Sequence, residues 1–219
     1  MNGTLINSTV PAELEALLMP VGKLIPVPAA DLARFSQEQL SAFCHKHAVY
    51  QLPTTELIRF LEDEIGDRTA IEIGAGNGAV GRALGIPVTD SCLQQSNLPG
   101  VRELYDLNGI PRVQYPDDVL KITGNHAVMQ MKPQVVVGCW ITERFNTETG
   151  KGNVYGVDEL QLARHTQTYI HVGNELTHGD KGLLKKYYYE EVKAGWLYSR
   201  SMQKEHNVIY IFNFLRDGK

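Results

Sequence analysis

The run Ala70-Ile71-Glu72-Ile73-Gly74-Ala75-Gly76-Asn77-Gly78-Ala79-Val80-Gly81 limits the fold more than any other segment of this chain. Its first residues read as a short buried strand, and its glycines turn the chain directly into a helix. Glycine has no Cβ to hold a ligand away and tolerates positive φ, so backbone at such a turn comes close to whatever binds there. The helix N-terminus beyond it offers free N–H groups to polar or anionic ligand atoms. A strand, a glycine turn and a helix in this order form a βα unit, and repeated units of that kind build a parallel sheet with helices on both faces.

The rest of the chain supplies the repeats. Thr69–Ile73 is predicted as a strand, Gly76–Leu84 as a short helix closed by Gly85, Ile86–Thr89 as a second strand and Val113–Tyr115 as a third. A helical run follows from Asp117 to Met131. Gln134–Ile141 is apolar on both faces, as the centre of a parallel sheet requires. After a polar loop over Thr142–Gly156 come a helix at Val157–Gln167, a strand at Thr168–Val172 and a last helix at Leu183–Val192. Trp196–Arg200 and Val208–Phe214 read as closing strands joined by Ser201–Asn207, a connection short enough for an antiparallel hairpin. Upstream, Pro11, Pro20, Pro26 and Pro28 separate helical patches at Ala12–Leu18 and Leu32–His45. Thr54 and Thr55 then cap an amphipathic helix that carries Leu57, Ile58, Phe60 and Leu61 and ends at Gly66.

A chain of 219 residues suits one domain, or one domain with a helical extension. Its 43% hydrophobic and 21% charged residues favour a packed core over disorder. No apolar stretch reaches the roughly 18 residues that span a bilayer, and the N-terminal MNGTLINSTV has no basic or apolar leader, so a cytoplasmic location and no membrane partner are expected. Cys44, Cys92 and Cys139 form no CxxC pair and are read as reduced thiols. Cys44, His45 and His47 have no second ligand pair, so no metal is expected. The net charge of −4 gives no overall attraction to nucleic acid. From Lys181 onward eight basic residues face four acids, a bias that a solvated helix face explains. Nucleic acid is therefore expected to be an unlikely partner, and the oligomeric state is left open.

Two ligands compete for the glycine turn, because Gly76–Gly81 is also a literal GxGxxG. A dinucleotide fold places its ribose acid about 20 residues beyond the glycines, after a full-length helix. Here Asp90 comes sooner and after a short helix, which counts against NAD. Glu72 sits at the end of a buried strand, where an ionised carboxylate is costly without partners. A cationic ligand with an ammonium and a sulfonium would supply them, whereas a pyrophosphate would be repelled. The alternative is that Glu72 hydrogen-bonds the glycine loop.

Glu72, Gly74, Gly76 and Gly78 resemble the acidic-x-Gly-x-Gly-x-Gly motif of class I S-adenosylmethionine-dependent methyltransferases, and the resemblance extends over Pro53–Phe214. It implies an α/β fold: a doubly wound, mostly parallel seven-stranded sheet with an antiparallel C-terminal hairpin. On this basis residues 1–52 are a helical N-terminal arm and residues 53–219 a Rossmann-like S-adenosylmethionine-binding domain. The implied cofactor site comprises Glu72, Gly74, Ala75, Gly76 and Gly78, with Asp90 and Ser91 at the ribose, Asp117 or Asp118 at the adenine amino group and Trp140 beside the pocket. After the fourth strand, Val137-Gly138-Cys139-Trp140-Ile141-Thr142 lacks the Asn/Asp-Pro-Pro-Tyr/Phe of enzymes that methylate planar amino groups. No Pro-Cys pair supports cytosine C5 methylation either.

Other residues near the carboxyl edge of the sheet are Glu143, Arg144, His171, Asn174 and His178. A base for the acceptor's proton is expected at His178 or Glu143, with His171 read as a core histidine. Cys139 is expected to be a buried small residue, since nothing beside it would lower its pKa. Tyr50 and Thr54 are candidates for a lid over the cofactor. The expected activity is methyl transfer to a small-molecule, cell-surface or nucleotide metabolite. The alternatives are a non-catalytic S-adenosylmethionine-binding protein and an NAD-dependent oxidoreductase.

Overall fold

A computed structural model describes residues 9–107, 109–145, 150 and 152–215. The basic residues Arg216 and Lys219, most of MNGTLINSTV and part of the Thr142–Gly156 loop lie outside them. In chain order the first elements are α1 (Ala12–Leu18), α2 (Ala29–Leu32), α3 (Gln37–Lys46), β1 (Gln51–Leu52) and α4 (Thr55–Ile65). The glycine turn joins β2 (Ala70–Ile73) to α5 (Ala79–Ala83), followed by β3 (Val88–Asp90), α6 (Pro99–Leu107), β4 (Leu120–Lys121) and α7 (Gly124–Met131). Then come β5 (Val135–Cys139), α8 (Glu159–Leu162), β6 (Thr168–Asn174), α9 (Glu175–His178), α10 (Gly182–Lys186), β7 (Glu190–Val192), β8 (Tyr198–Ser199) and β9 (Asn207–Asn213). None of the described helices is long and apolar enough to cross a membrane.

The main sheet has seven strands in the order β4-β3-β2-β5-β6-β9-β7. The pairs from β4 to β6 are parallel, while β9 runs antiparallel to both β6 and β7. This is the doubly wound, Rossmann-like fold with an antiparallel C-terminal edge. From β2 the chain moves outward to β3 and β4, then returns to place β5 on the other side of β2. That reversal opens a crevice at the carboxyl ends of β2 and β5, where such sheets bind ligands.

Burial on both faces accounts for the central strands. Val135 and Val137 of β5 pack with Leu57, Leu61 and Ile65 of α4. Val136 points the other way, into a cluster with Ala127 and Val128 of α7 and with Tyr169 and Phe212. A third cluster joins Leu14, Leu18, Leu40 and Phe43 to Leu52, Ala79 and Tyr198. The N-terminal helices thus pack on the element that leaves the glycine turn, and β1 pairs antiparallel with β8.

Several sequence-based elements are placed differently. The third strand is Leu120–Lys121, not Val113–Tyr115. Pro111 and Pro116 bracket the expected strand, and the Val113 N–H goes to the Gln94 side chain at 2.9 Å. The last helix stops at Lys186, and Glu190–Val192 is the outermost strand. Between them Tyr187 and Tyr189 pack on Phe214, Phe212 and Tyr210, a β-favouring aromatic run that overrides helical spacing. Consequently β9 forms its antiparallel edge with β7, while Tyr198–Ser199 pairs with Gln51–Leu52. The helix expected over Val157–Gln167 is confined to Glu159–Leu162, and α6 fills a stretch with no clear sequence pattern.

Thr54 shows how the start of the domain is pinned. The side chain is fully buried, and its hydroxyl accepts the Leu57 N–H at 3.2 Å, capping α4, and donates to the Trp196 carbonyl at 3.0 Å. Thr54→Ala should therefore lower the unfolding free energy by about 1–2 kcal/mol. Urea unfolding checks this, and an unchanged midpoint would show that the cap contributes nothing.

Candidate functional site

The turn after β2 takes its shape from glycines at φ +56 (Gly74), +57 (Gly76) and +72 (Gly78). These are left-handed conformations that side chains resist. Backbone bonds tie the turn down: Ala75 N–H donates to the Thr89 carbonyl at 3.0 Å and Gly78 N–H to the Ala75 carbonyl at 2.9 Å. Asp90, at the end of β3, completes it. Its Oδ2 accepts the Gly76 N–H at 2.9 Å and its Oδ1 the Cys92 N–H at 2.8 Å. A carboxylate has about four acceptor positions, so two remain for ligand donors.

Glu72 lies beneath the turn and is 1% exposed. Its Oε2 accepts the Gly81 N–H at 2.8 Å. A Cβ on Gly81 would sit 2.5 Å from Val88 Cγ1 and 2.7 Å from that oxygen, so only glycine lets α5 lie this close to the sheet. Burial pushes the Glu72 carboxyl up to about 8, against the opposing Gly81 N–H, with the Asp90 charge adding to the rise. Glu72 thus hydrogen-bonds the α5 backbone and also lines the cleft beside the turn. Burial and Glu72 likewise push the Cys139 thiol far up, which leaves it inert.

The opposite wall of this cleft comes from Ala48, Val49, Tyr50 and Gln51, just before α4. Of these only Tyr50 is singled out by the sequence, and the others carry no motif that could have marked them. The Arg200 guanidinium covers the Tyr50 ring at 4.4 Å. Trp140, directly after β5, adopts φ +57, an outlier for a bulky side chain and a feature that clusters at functional sites. Its N–H donates to the Val172 carbonyl at 2.8 Å, its Nε1 to Gln51 Oε1 at 3.3 Å, and its ring meets His178 edge-on at 5.2 Å. Thr54, the other lid candidate, is the helix cap described above.

The expected bases are placed less favourably. His178 is 4% exposed with Nδ1 3.1 Å from the Asn174 backbone, and burial, reinforced by the Lys181 charge, holds it down at about 3. The Glu143 carboxylate accepts the Gly182 N–H at 3.1 and 3.2 Å, at the start of α10, and does not line the cleft. His171 is fully buried, with Nδ1 3.2 Å from Tyr169 Oη, whose hydroxyl donates to Glu159 Oε1 at 2.7 Å. Lys181 Nζ bonds both Glu159 oxygens at 2.7 and 2.8 Å. Asn174 caps α9, and Arg144 bridges to Asn153 through its backbone.

Asp117 and Asp118 require a correction. The third strand begins after them, so they stand at its amino end, exposed, and Arg82 Nε holds Asp118 at 2.7 Å. At the carboxyl end of β4 the chain continues as Ile122-Thr123-Gly124, without an acid. Ser91 follows Asp90 and is exposed. Cys44 is buried with its thiol pushed up to about 12, and His47 pairs with Glu15.

No protein-family model and no curated protein matches the chain. Solved structures do. The chain resembles the bifunctional kinase-methyltransferase WbdD, with a TM-score of 0.41 and 15% identity over 73% of this chain and 38% of that one. It resembles the 23S rRNA methyltransferase ErmE, with a TM-score of 0.38 and 15% identity over 73% of this chain and 67% of that one. It also resembles the METTL16 methyltransferase domain, with a TM-score of 0.38 and 15% identity over 82% and 97% of the two chains. The chain spans about two fifths of the WbdD chains it matches. The seven-stranded sheet of this chain, in the order β4-β3-β2-β5-β6-β9-β7 with its antiparallel edge, is consistent with the Rossmann-like methyltransferase fold. One expectation is corrected: a 23S rRNA methyltransferase is among the structures this chain resembles, against the expectation that nucleic acid is an unlikely partner.

Glu72 yields a pH signature. Folding raises its pKa from 4.5 to about 8, so between these values the native state holds a proton that the unfolded state has lost. Unfolding free energy therefore falls as pH rises through that window. His178 and His171, depressed from 6.5, act in the opposite sense below 6.5, and buried Glu159, raised, acts in the same sense as Glu72. The share of Glu72 is therefore the difference from a Glu72→Gln variant between 6.5 and about 8. Glu72→Gln should flatten the profile there. Equal slopes for the two proteins in urea titrations would contradict the protonated, buried state of Glu72.

Proposed function

We propose that the chain binds S-adenosylmethionine across the Gly74–Gly78 turn and acts as a methyltransferase. The observation that carries this reading is the pair of carboxylates, Glu72 and Asp90, at the carboxyl ends of adjacent parallel strands on either side of the turn. When bound, the cofactor supplies a methyl group to an acceptor placed in line with its sulfonium. Asp90 has the acceptor capacity for two ribose hydroxyls while it holds the turn in shape. Glu72 is buried with its pKa raised, so a cationic ligand favours its ionised form, and affinity for such a ligand rises with pH. Tyr50 and Gln51 wall the space beside Cys139, and the Trp140 Nε1 holds the Gln51 side chain.

A specific observation supports a second reading, cofactor binding without transfer. Glu143 is taken up by the α10 N-terminus, and His178 strongly resists protonation. A chain that does transfer methyl groups through this site therefore serves acceptors whose proton, if any, leaves to solvent. Incubation with labelled S-adenosylmethionine and cell extract separates the two readings by whether label is incorporated.

Calorimetric titration with S-adenosylmethionine, S-adenosylhomocysteine and NAD tests the cofactor. Both adenosyl ligands are expected to bind and NAD not to; tight NAD binding with no adenosyl response would sink the proposal. Asp90→Ala should weaken S-adenosylhomocysteine by about 10- to 150-fold, the equivalent of ~1.5–3 kcal/mol for a charge-assisted hydrogen bond. Because Asp90 also anchors Gly76 and Cys92, its melting temperature should fall as well. Full affinity in a folded Asp90→Ala protein would place the ligand elsewhere.

A further inference from the structure

On the other side of the glycine turn lies a second cavity of about 340 Å³, between the N-terminal helices, Asn77 and the segment that precedes β4. Its charged lining is cationic, Lys23, Lys46, Arg82 and Arg112, with His47 beside them. No carboxylate is among the described residues that line it. Acids pair with three of these cations and with His47. Glu15 pairs with Lys46 at 2.6 Å and His47 at 2.8 Å, Asp118 with Arg82 at 2.7 Å, and Asp106 with Arg112 at 2.5 Å. Four permanent cations against three acids leave a local excess of positive charge in a chain whose net charge is −4.

The remaining lining is apolar, from Met19, Leu24, Val49 and two prolines, together with the amide side chains of Asn77 and Gln114. An apolar floor with a few amide groups suits a flat heterocycle, and cations at the rim suit a phosphate. The volume lies within the ~300–1,000 Å³ range of small-ligand sites. Val49 and Asn77 line both this cavity and the cleft above Glu72, so the two spaces share a wall at the turn.

We propose that this cavity binds a phosphate-bearing nucleotide unit of the methyl acceptor, with the cationic rim on the phosphate and the apolar floor under the base. The word acceptor rests on the methyltransferase reading; the nucleotide site itself does not. Such a unit can come from a free nucleotide or from a single strand, and the shared chemistry is the phosphorylated nucleoside.

Calorimetry with uridine monophosphate, a short oligouridylate and inorganic phosphate tests this, since none carries the adenosine of the cofactor. Uridine monophosphate should bind, less tightly as salt rises, and the double variant Lys23→Gln/Lys46→Gln should weaken it about tenfold or more while S-adenosylhomocysteine affinity is unchanged. Both lysines are exposed, so the variant is expected to fold. Equal affinity for the oligouridylate supports a free nucleotide as the source; tighter binding with a steeper salt dependence supports a strand. If S-adenosylhomocysteine binds but neither uridine ligand does, the proposal is overturned. Full uridine affinity in the double variant, or inorganic phosphate binding as tightly as uridine monophosphate, would overturn it as well. Uridine binding without any adenosyl binding would retain the nucleotide site and remove the methyltransferase reading.

Discussion

A carboxylate buried in the middle of the sheet sets the geometry around the cleft. Glu72 can remain there because the Gly81 N–H reaches it, and Gly81 can approach because it has no Cβ. This contact draws α5 onto β2 and β3, which forces the intervening turn into three left-handed glycines. The tight turn in turn brings the Gly76 N–H within reach of Asp90. A longer side chain at Gly81 or an uncapped Glu72 would loosen this whole arrangement. The cost of burying the acid shows in its raised pKa.

The polar groups beyond β5 and β6 serve a different end. Lys181, Glu159, Tyr169 and His171 form a buried chain of hydrogen bonds that joins α8 and α10 to the core. A paired, hydrogen-bonded arrangement of this sort is costly to disrupt because removing one member strands the others. Residues that look like acid–base candidates by position are thus structural in their contacts. The N-terminal helices contribute on the other side: through Tyr50 and Gln51 they wall the cleft, and through Lys23, Lys46 and His47 they wall the cationic cavity. This segment packs over Ala79 and Tyr198.

Signals with a local cause were legible. The β2–turn–α5 unit, the apolar β5, the Thr54 cap and the acid at Asp90 each follow from short-range chemistry, and each stands where its residues indicate. The failures share a cause too. Val113–Tyr115 has strand-like residues, but its amide is taken by the Gln94 side chain from a distant part of the chain. Tyr187–Tyr189 continues a helical spacing, yet long-range aromatic packing on β9 draws the following residues into an edge strand. Asp117 and Asp118 were read at the wrong end of a strand because a two-residue strand leaves almost no pattern.

What the amino-acid order determined by itself is therefore the Rossmann-like frame, the place of its glycine turn and the two acids that flank it. These depend on backbone conformation and burial periodicity, which act over a few residues. Only the tertiary structure decided that Glu143 caps a helix, that His178 is buried against Trp140 and that four cations and a histidine from separate segments surround one cavity. Each of these is set by which distant groups come into contact, and electrostatic and desolvation energies depend on that proximity, not on position along the chain.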